Sequence, residues 1–99
     1  MKTFDSFSAE HRAAGADDVL ERRWQPNTVI ETHTHPFAVQ ALVVQGEFWL
    51  TVGSRVQHLK VGDGFEVAAD VPHAERYGAQ GAIFWVARRN KAKASPSST

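Results

Sequence analysis

Apolar residues in this chain come in short bursts, punctuated by glycine and proline. Gly46, Gly53, Gly62, Gly64, Gly78 and Gly81 interrupt runs rich in Val, Leu, Phe and Trp, and Pro26, Pro36 and Pro72 add further stops. Runs this short, bounded this way, predict strands rather than helices. They are Val19–Trp24, Thr28–His35, Val39–Val44, Glu47–Val52, Arg55–Leu59, Gly64–Val67, His73–Tyr77 and Ala82–Arg88. Within Glu47–Val52 the alternation puts Phe48, Leu50 and Val52 on one face. Ala82–Ala87 is apolar on both faces, which places it between the core and a second surface. Eight short strands with no internal repeat predict one all-β sandwich or barrel.

The flanks read differently. Residues 1–18 form a mixed polar arm, with either a short helix or an edge strand open to it. The barrel is assigned to residues 19–89. The polar tail, residues 90–99, carries Pro96 and is expected to be disordered.

Composition narrows the classes. With 99 residues, 42% apolar and 22% charged, the chain fits one small soluble domain. Eleven basic side chains balance eleven acidic ones, which argues against nucleic acid as a partner. The basic group Arg88, Arg89, Lys91 and Lys93 is assigned to a solvated strand end. No apolar run is long enough to span a membrane. The N-terminal segment is acidic where a secretory leader is apolar, so a cytoplasmic location is expected. Cysteine is absent, so any bound metal must rest on nitrogen and oxygen donors.

The chemistry concentrates in histidine. His33 and His35 stand two apart on a predicted strand and share a face, about 7 Å apart by the strand rise. Two imidazoles do not complete an ion's coordination. His73, just after the Val71-Pro72 turn, is the candidate third ligand, and Gln40, through its amide oxygen, a weaker fourth. Glu75, two residues past His73, is a candidate general base. Tyr77 follows in the same register as a hydrogen-bonding or catalytic group. Phe37 is a candidate lining residue for an apolar small-molecule pocket. His58 is assigned to a strand end, and His11 receives no role.

These residues fall into a pattern that resembles the cupin family. Its first motif is Gly, five residues, His-x-His, three or four residues, Glu, six residues, Gly. Here it reads Asn27, TVIET, His33-Thr34-His35, PFAV, Gln40, ALVVQ, Gly46. Its second motif is Gly, five residues, Pro-x-Gly, two residues, His, three residues, Asn. Here it reads Gly62, DGFEV, Ala68-Ala69-Asp70, VP, His73, AER, Tyr77. The fifteen residues between Gly46 and Gly62 match the short spacer of small bacterial members. Asn27 stands for the first glycine, Ala68 and Asp70 for the Pro and Gly of the second turn, and Tyr77 for the final Asn. One residue is missing before Gly46. The family's Glu position falls on Gln40, or on Val39 in an alternative alignment; Gln40 is preferred, with Val39 and Val43 then facing outward.

The resemblance implies a cupin (double-stranded β-helix, jelly-roll) barrel of antiparallel strands. It implies a divalent transition metal (Zn, Fe, Ni, Mn or Cu) held by His33, His35 and His73. Amide in place of carboxylate makes the site more cationic and suited to an anion. The expected function is metal-dependent chemistry on a small organic ligand, of dioxygenase, isomerase or lyase type; the alternative is a non-catalytic binding or sensor module. The family also implies a homodimer, for which Trp24, Trp85, Val39 and Val43 offer an exposed apolar face.

Overall fold

The computed structural model describes residues 2–90, so the segment expected to be a disordered tail lies outside the described residues except for Asn90. The chain forms one helix, α1 (Phe4–Ala13), and six strands. These are β1 (Asp18–Trp24), β2 (Val29–His33), β3 (Phe37–Val52), β4 (Arg55–Lys60), β5 (Gly64–Val67) and β6 (His73–Asn90). Every pairing is antiparallel.

Two of the strands are much longer than the sequence pattern implies. Val39–Val44 and Glu47–Val52 are halves of β3, and His73–Tyr77 and Ala82–Arg88 are halves of β6. Gly46, Gly78 and Gly81, which read as stops, lie within these strands, whereas Gly53 and Gly62 do separate strands. β3 and β6 pair along their whole length, from Phe37↔Asn90 to Thr51↔Ala74, with bulges at Val43/Gln45 and Gly46/Phe48. At the bend the two backbones nearly touch. A Cβ on Gly46 would stand 2.1 Å from the Gly81 carbonyl oxygen, and both residues have positive φ, 76° and 69°. Only glycine fits that approach.

Bending the shared pair makes two sheets from one ladder. β1 and β5 flank one half of the pair; β2 and β4 flank the other. The facing surfaces enclose a core that includes Ala41, Val43, Phe48, Leu50, Tyr77, Phe84 and Val86. The aromatic members interlock: Phe48 stacks on Tyr77 at 5.0 Å and meets Phe65 edge-on at 5.3 Å.

The N-terminal arm is a helix, one of the two alternatives the sequence left open. Thr3 caps it reciprocally with Ser6: Thr3 Oγ1 accepts from the Ser6 backbone N–H, and Ser6 Oγ from that of Thr3. The helix lays Phe4 and Phe7 on Trp85, beside Val19 and Ala87, on the outer surface of the β1 sheet. This overturns the apolar dimer face expected from the sequence. Trp85 lies under the helix, Val43 is in the core, and Trp24 stacks on Tyr77.

Candidate metal centre

Three elements deliver the histidines. His33 closes β2 and lies directly across from His73, which opens β6. His35 follows in the connection to β3, where its carbonyl accepts from the Asp70 backbone N–H at 2.8 Å. The three rings gather with centroids 4.3–4.9 Å apart. One ligand atom from each lies within 4.8 Å of the others. Nitrogens bound to one ion at about 2.1 Å stand roughly 3–3.4 Å apart, so the widest pair would have to close by about an ångström or more.

Backbone carbonyls set the ring orientations. His33 Nδ1 lies 2.8 Å from the Glu31 carbonyl oxygen, and His73 Nδ1 lies 2.9 Å from that of Val71. A carbonyl only accepts, so Nδ1 is the donor in both rings and Nε2 is the nitrogen left for a metal. His35 is fixed instead by stacking on Phe37 at 4.7 Å, with Arg88 over the other ring at 4.8 Å and Asp18 on Arg88 Nη2 at 3.2 Å. Burial, then the neighbouring rings of His73 and His33, holds the His35 imidazolium below the ordinary histidine range. A neutral ring is the form that binds a metal.

Glu75 completes the set. Its Oε2 lies 3.7 Å from His33 Nε2 and 3.6 Å from His73 Nε2, and its Oε1 accepts from the Tyr77 hydroxyl at 2.5 Å. Tyr77 itself is 1% exposed. Burial, reinforced by the Glu75 carboxylate, pushes its phenol far above the usual tyrosine range. Tyr77 therefore stays protonated and donates its hydroxyl hydrogen to Glu75. The three imidazole nitrogens suit a divalent transition ion, and the Glu75 carboxylate lies beside them.

Gln40 is not part of this group. It donates to Glu66 Oε2 at 3.3 Å and lines a separate depression with Glu66, Ala68 and Arg89. Val39, not Gln40, lines the histidine cavity, so the family's carboxylate position is occupied by an apolar side chain. The outward orientation expected for Val39 and Val43 is corrected with it. Phe37 lines the cavity as anticipated. His58 stacks on Trp49 on the outside, at 4.4 Å, and His11 packs on Phe7 of the helix.

The cavity beneath the histidines has a volume of about 130 Å³. That is small beside the roughly 300–1,000 Å³ of sites for drug-sized ligands. Its lining includes three residues the sequence reading did not place there: Arg22, Arg88 and, as a cavity wall, Trp24. Leu20, Arg22 and Trp24 alternate along β1, and that stripe with a cation in its middle was the available signal.

The chain belongs to the cupin family: the cupin domain matches residues 20–86, nearly all of the two sheets. No curated protein matches the sequence. Among solved structures, a DMSP lyase superposes with TM-score 0.68 at 22% identity, over 74% of this chain and 38% of the lyase. KdgF from a Halomonas species gives 0.66 at 17% identity, over 76% of this chain and 70% of that one. A conserved protein with a double-stranded β-helix domain from Klebsiella pneumoniae gives 0.63 at 25% identity, over 75% and 67%. The chain thus spans well under half of the lyase. These likenesses establish the cupin, RmlC-like barrel as the fold.

Family and geometry agree at the turns as well. Asn27 and Asp70 stand where the motifs carry glycine, and they are the two non-glycine residues with positive φ among the described residues, at 59° and 64°. Asn and Asp tolerate that conformation better than other side chains.

Proposed function

We propose that this chain is a small metal-dependent cupin. His33, His35 and His73 hold one divalent transition ion, and a small organic molecule binds in the adjoining cavity. The convergence of three imidazoles on one point at the cavity wall, with a carboxylate beside them, carries this reading. When bound, such an ion supplies Lewis acidity or an activated water. Glu75 is the residue we assign to proton transfer, at Oε2. Tyr77 holds the other oxygen and so fixes which one faces the histidines. The apolar wall, including Ile30, Val39, Leu50 and Phe84, keeps water from the reacting groups.

A second reading rests on position 39. With Val39 where the family has Glu, three neutral donors remain from the motifs, and ligand capture without turnover is the alternative. We also propose that the chain forms homodimers, on a face described below.

Metal analysis of protein purified without added metal is the first test. The wild type is expected to carry an ion, and His33→Ala, His35→Ala and His73→Ala each to lose most of it. Full retention by His73→Ala would break the triad. Turnover and oxygen consumption with phenolic, keto-acid and thiol compounds then divide enzyme from binder: a loaded protein that binds but converts none of them is a binding module.

A further inference from the structure

The cavity lining holds a guanidinium, Arg22, with no direct counterion among the described residues. Two guanidinium groups, Arg22 and Arg88, face one carboxylate, Glu75. That carboxylate is engaged by the Tyr77 hydroxyl and lies beside two imidazoles. Arg88 has its own counterion in Asp18. Arg22 forms no ion pair among the described residues; it lies over the Trp24 indole, 5.0 Å from the ring centroid. Its field acts on both His35 and the Tyr77 hydroxyl, so it stands within electrostatic reach of both sides of the cavity.

Two hydrogen-bond donors in the same lining are orphaned. Among the described residues, Trp24 Nε1 and Arg88 Nε are the buried side-chain polar atoms with no partner. Buried polar groups in folded proteins are almost always paired, so these two donors stand ready for an acceptor, water or ligand, once side chains of the lining shift to admit it. Trp24 sits two residues from Arg22 on the same face of β1, about 7 Å along the strand. The indole N–H and the free guanidinium are therefore neighbours on one wall.

We infer that this wall is a carboxylate anchor: the ligand is a small organic monoanion whose carboxylate is bound by Arg22, with Trp24 Nε1–H as a second donor, and whose apolar body lies across Leu20 and Val86. The inference deepens the proposed function, since it names the ligand class for the cavity beside the histidines. It does not require the ion. Arg22 fixes one end of the molecule, and the rest extends toward His35 and Glu75. A neutral ligand of the same shape leaves Arg22 unmatched and the indole N–H dependent on a weaker acceptor.

Benzoate and its neutral amide, benzamide, make a matched pair of probes for calorimetric titration at constant ionic strength. Each is titrated into metal-loaded protein and into protein stripped with chelator. Benzoate is expected to bind at least about tenfold more tightly than benzamide in both forms. Arg22→Gln is expected to abolish that preference, Arg22→Lys to keep part of it, and Trp24→Phe to weaken benzoate severalfold while preserving the stack on Tyr77. Metal content should be unchanged in all three. Equal binding of the two probes, or full benzoate affinity in Arg22→Gln, overturns the anchor. So does a preference that vanishes on metal removal, because the carboxylate would then sit on the ion. If the histidines bind no metal while the Arg22-dependent preference persists, the anchor stands and the proposed function falls.

Discussion

Protonation of His35, a candidate ligand, is disfavoured because the ring is desolvated and crowded by two other imidazoles. The unfolded chain lacks that pressure. Below about pH 6.5 the unfolded state takes a proton at this position that the folded state resists. The unfolded state then binds more protons, and stability falls as pH falls. In chelator-treated protein the urea midpoint is expected to drop between about pH 7.5 and about pH 5.5 more steeply in the wild type than in His35→Gln. Parallel profiles would show that the ring titrates normally. Positions 39 and 40 allow a second test at this scale. Val39→Glu places a carboxylate on the cavity wall and is expected to tighten metal binding on the order of tenfold; Gln40→Glu, facing Glu66, is expected to leave it unchanged. Competition with a chromophoric chelator reads both. The clustering of the three histidines followed from the motif spacing, although β2 ends at His33 and His35 lies in the connection after it rather than on the expected strand. The preference for Gln40 turned Val39 and Val43 outward toward a partner, and the two bulges between Val43 and Phe48 give the opposite phase. The inner face runs Val39, Ala41, Val43 and then Phe48, Leu50, a change of phase.

The same change of phase governs the elements. In β6, His73, Glu75 and Tyr77 face inward before the bend, and Ala82, Phe84 and Val86 after it. Both long strands switch phase together, so the ladder survives while the sheet turns a corner. Gly46 is the position where this is most constrained. Gly46→Ala must push a Cβ into the Gly81 carbonyl and hold a positive φ, at a cost of about 3 kcal/mol or more. Gly53→Ala shares the positive φ but meets nothing within 4 Å, so about 1 kcal/mol is expected. Urea denaturation of the pair measures the difference; equal costs would mean that the close approach does not constrain the bend. From sequence alone a glycine that ends a strand and one that bends it look the same. That is why six strands read as eight, although the all-β class and the barrel did not depend on the distinction.

For the whole molecule, the helix settles which surface is left open. With Trp85 under α1, the available face is the outside of the β2–β4 sheet. There Val29, Arg76, Trp49 and His58 form one row across four strands. Arg76 lies over the Trp49 ring at 4.3 Å. Val29 and Val56 are 59% and 60% exposed. This is the face we assign to the proposed homodimer. Sedimentation equilibrium is expected to give twice the chain mass for the wild type and the single mass for a Val29→Glu, Val56→Glu double variant. A monomeric wild type would remove the dimer and leave the metal centre untouched. The sequence could not have located this face: it depends on which side a ten-residue helix covers, and α1 packs through only a few apolar side chains.

The row Asp18–Arg88–Phe37–His35 runs from the rim of the barrel to an imidazole of the candidate centre. Its outer end is a partly exposed ion pair, open to change without disturbing the core. A substitution at position 18 is expected to loosen the guanidinium, then the phenyl ring, then the tilt of His35. If the proposed ion is held there, position 18 reaches it through three contacts, with every proposed ligand left in place.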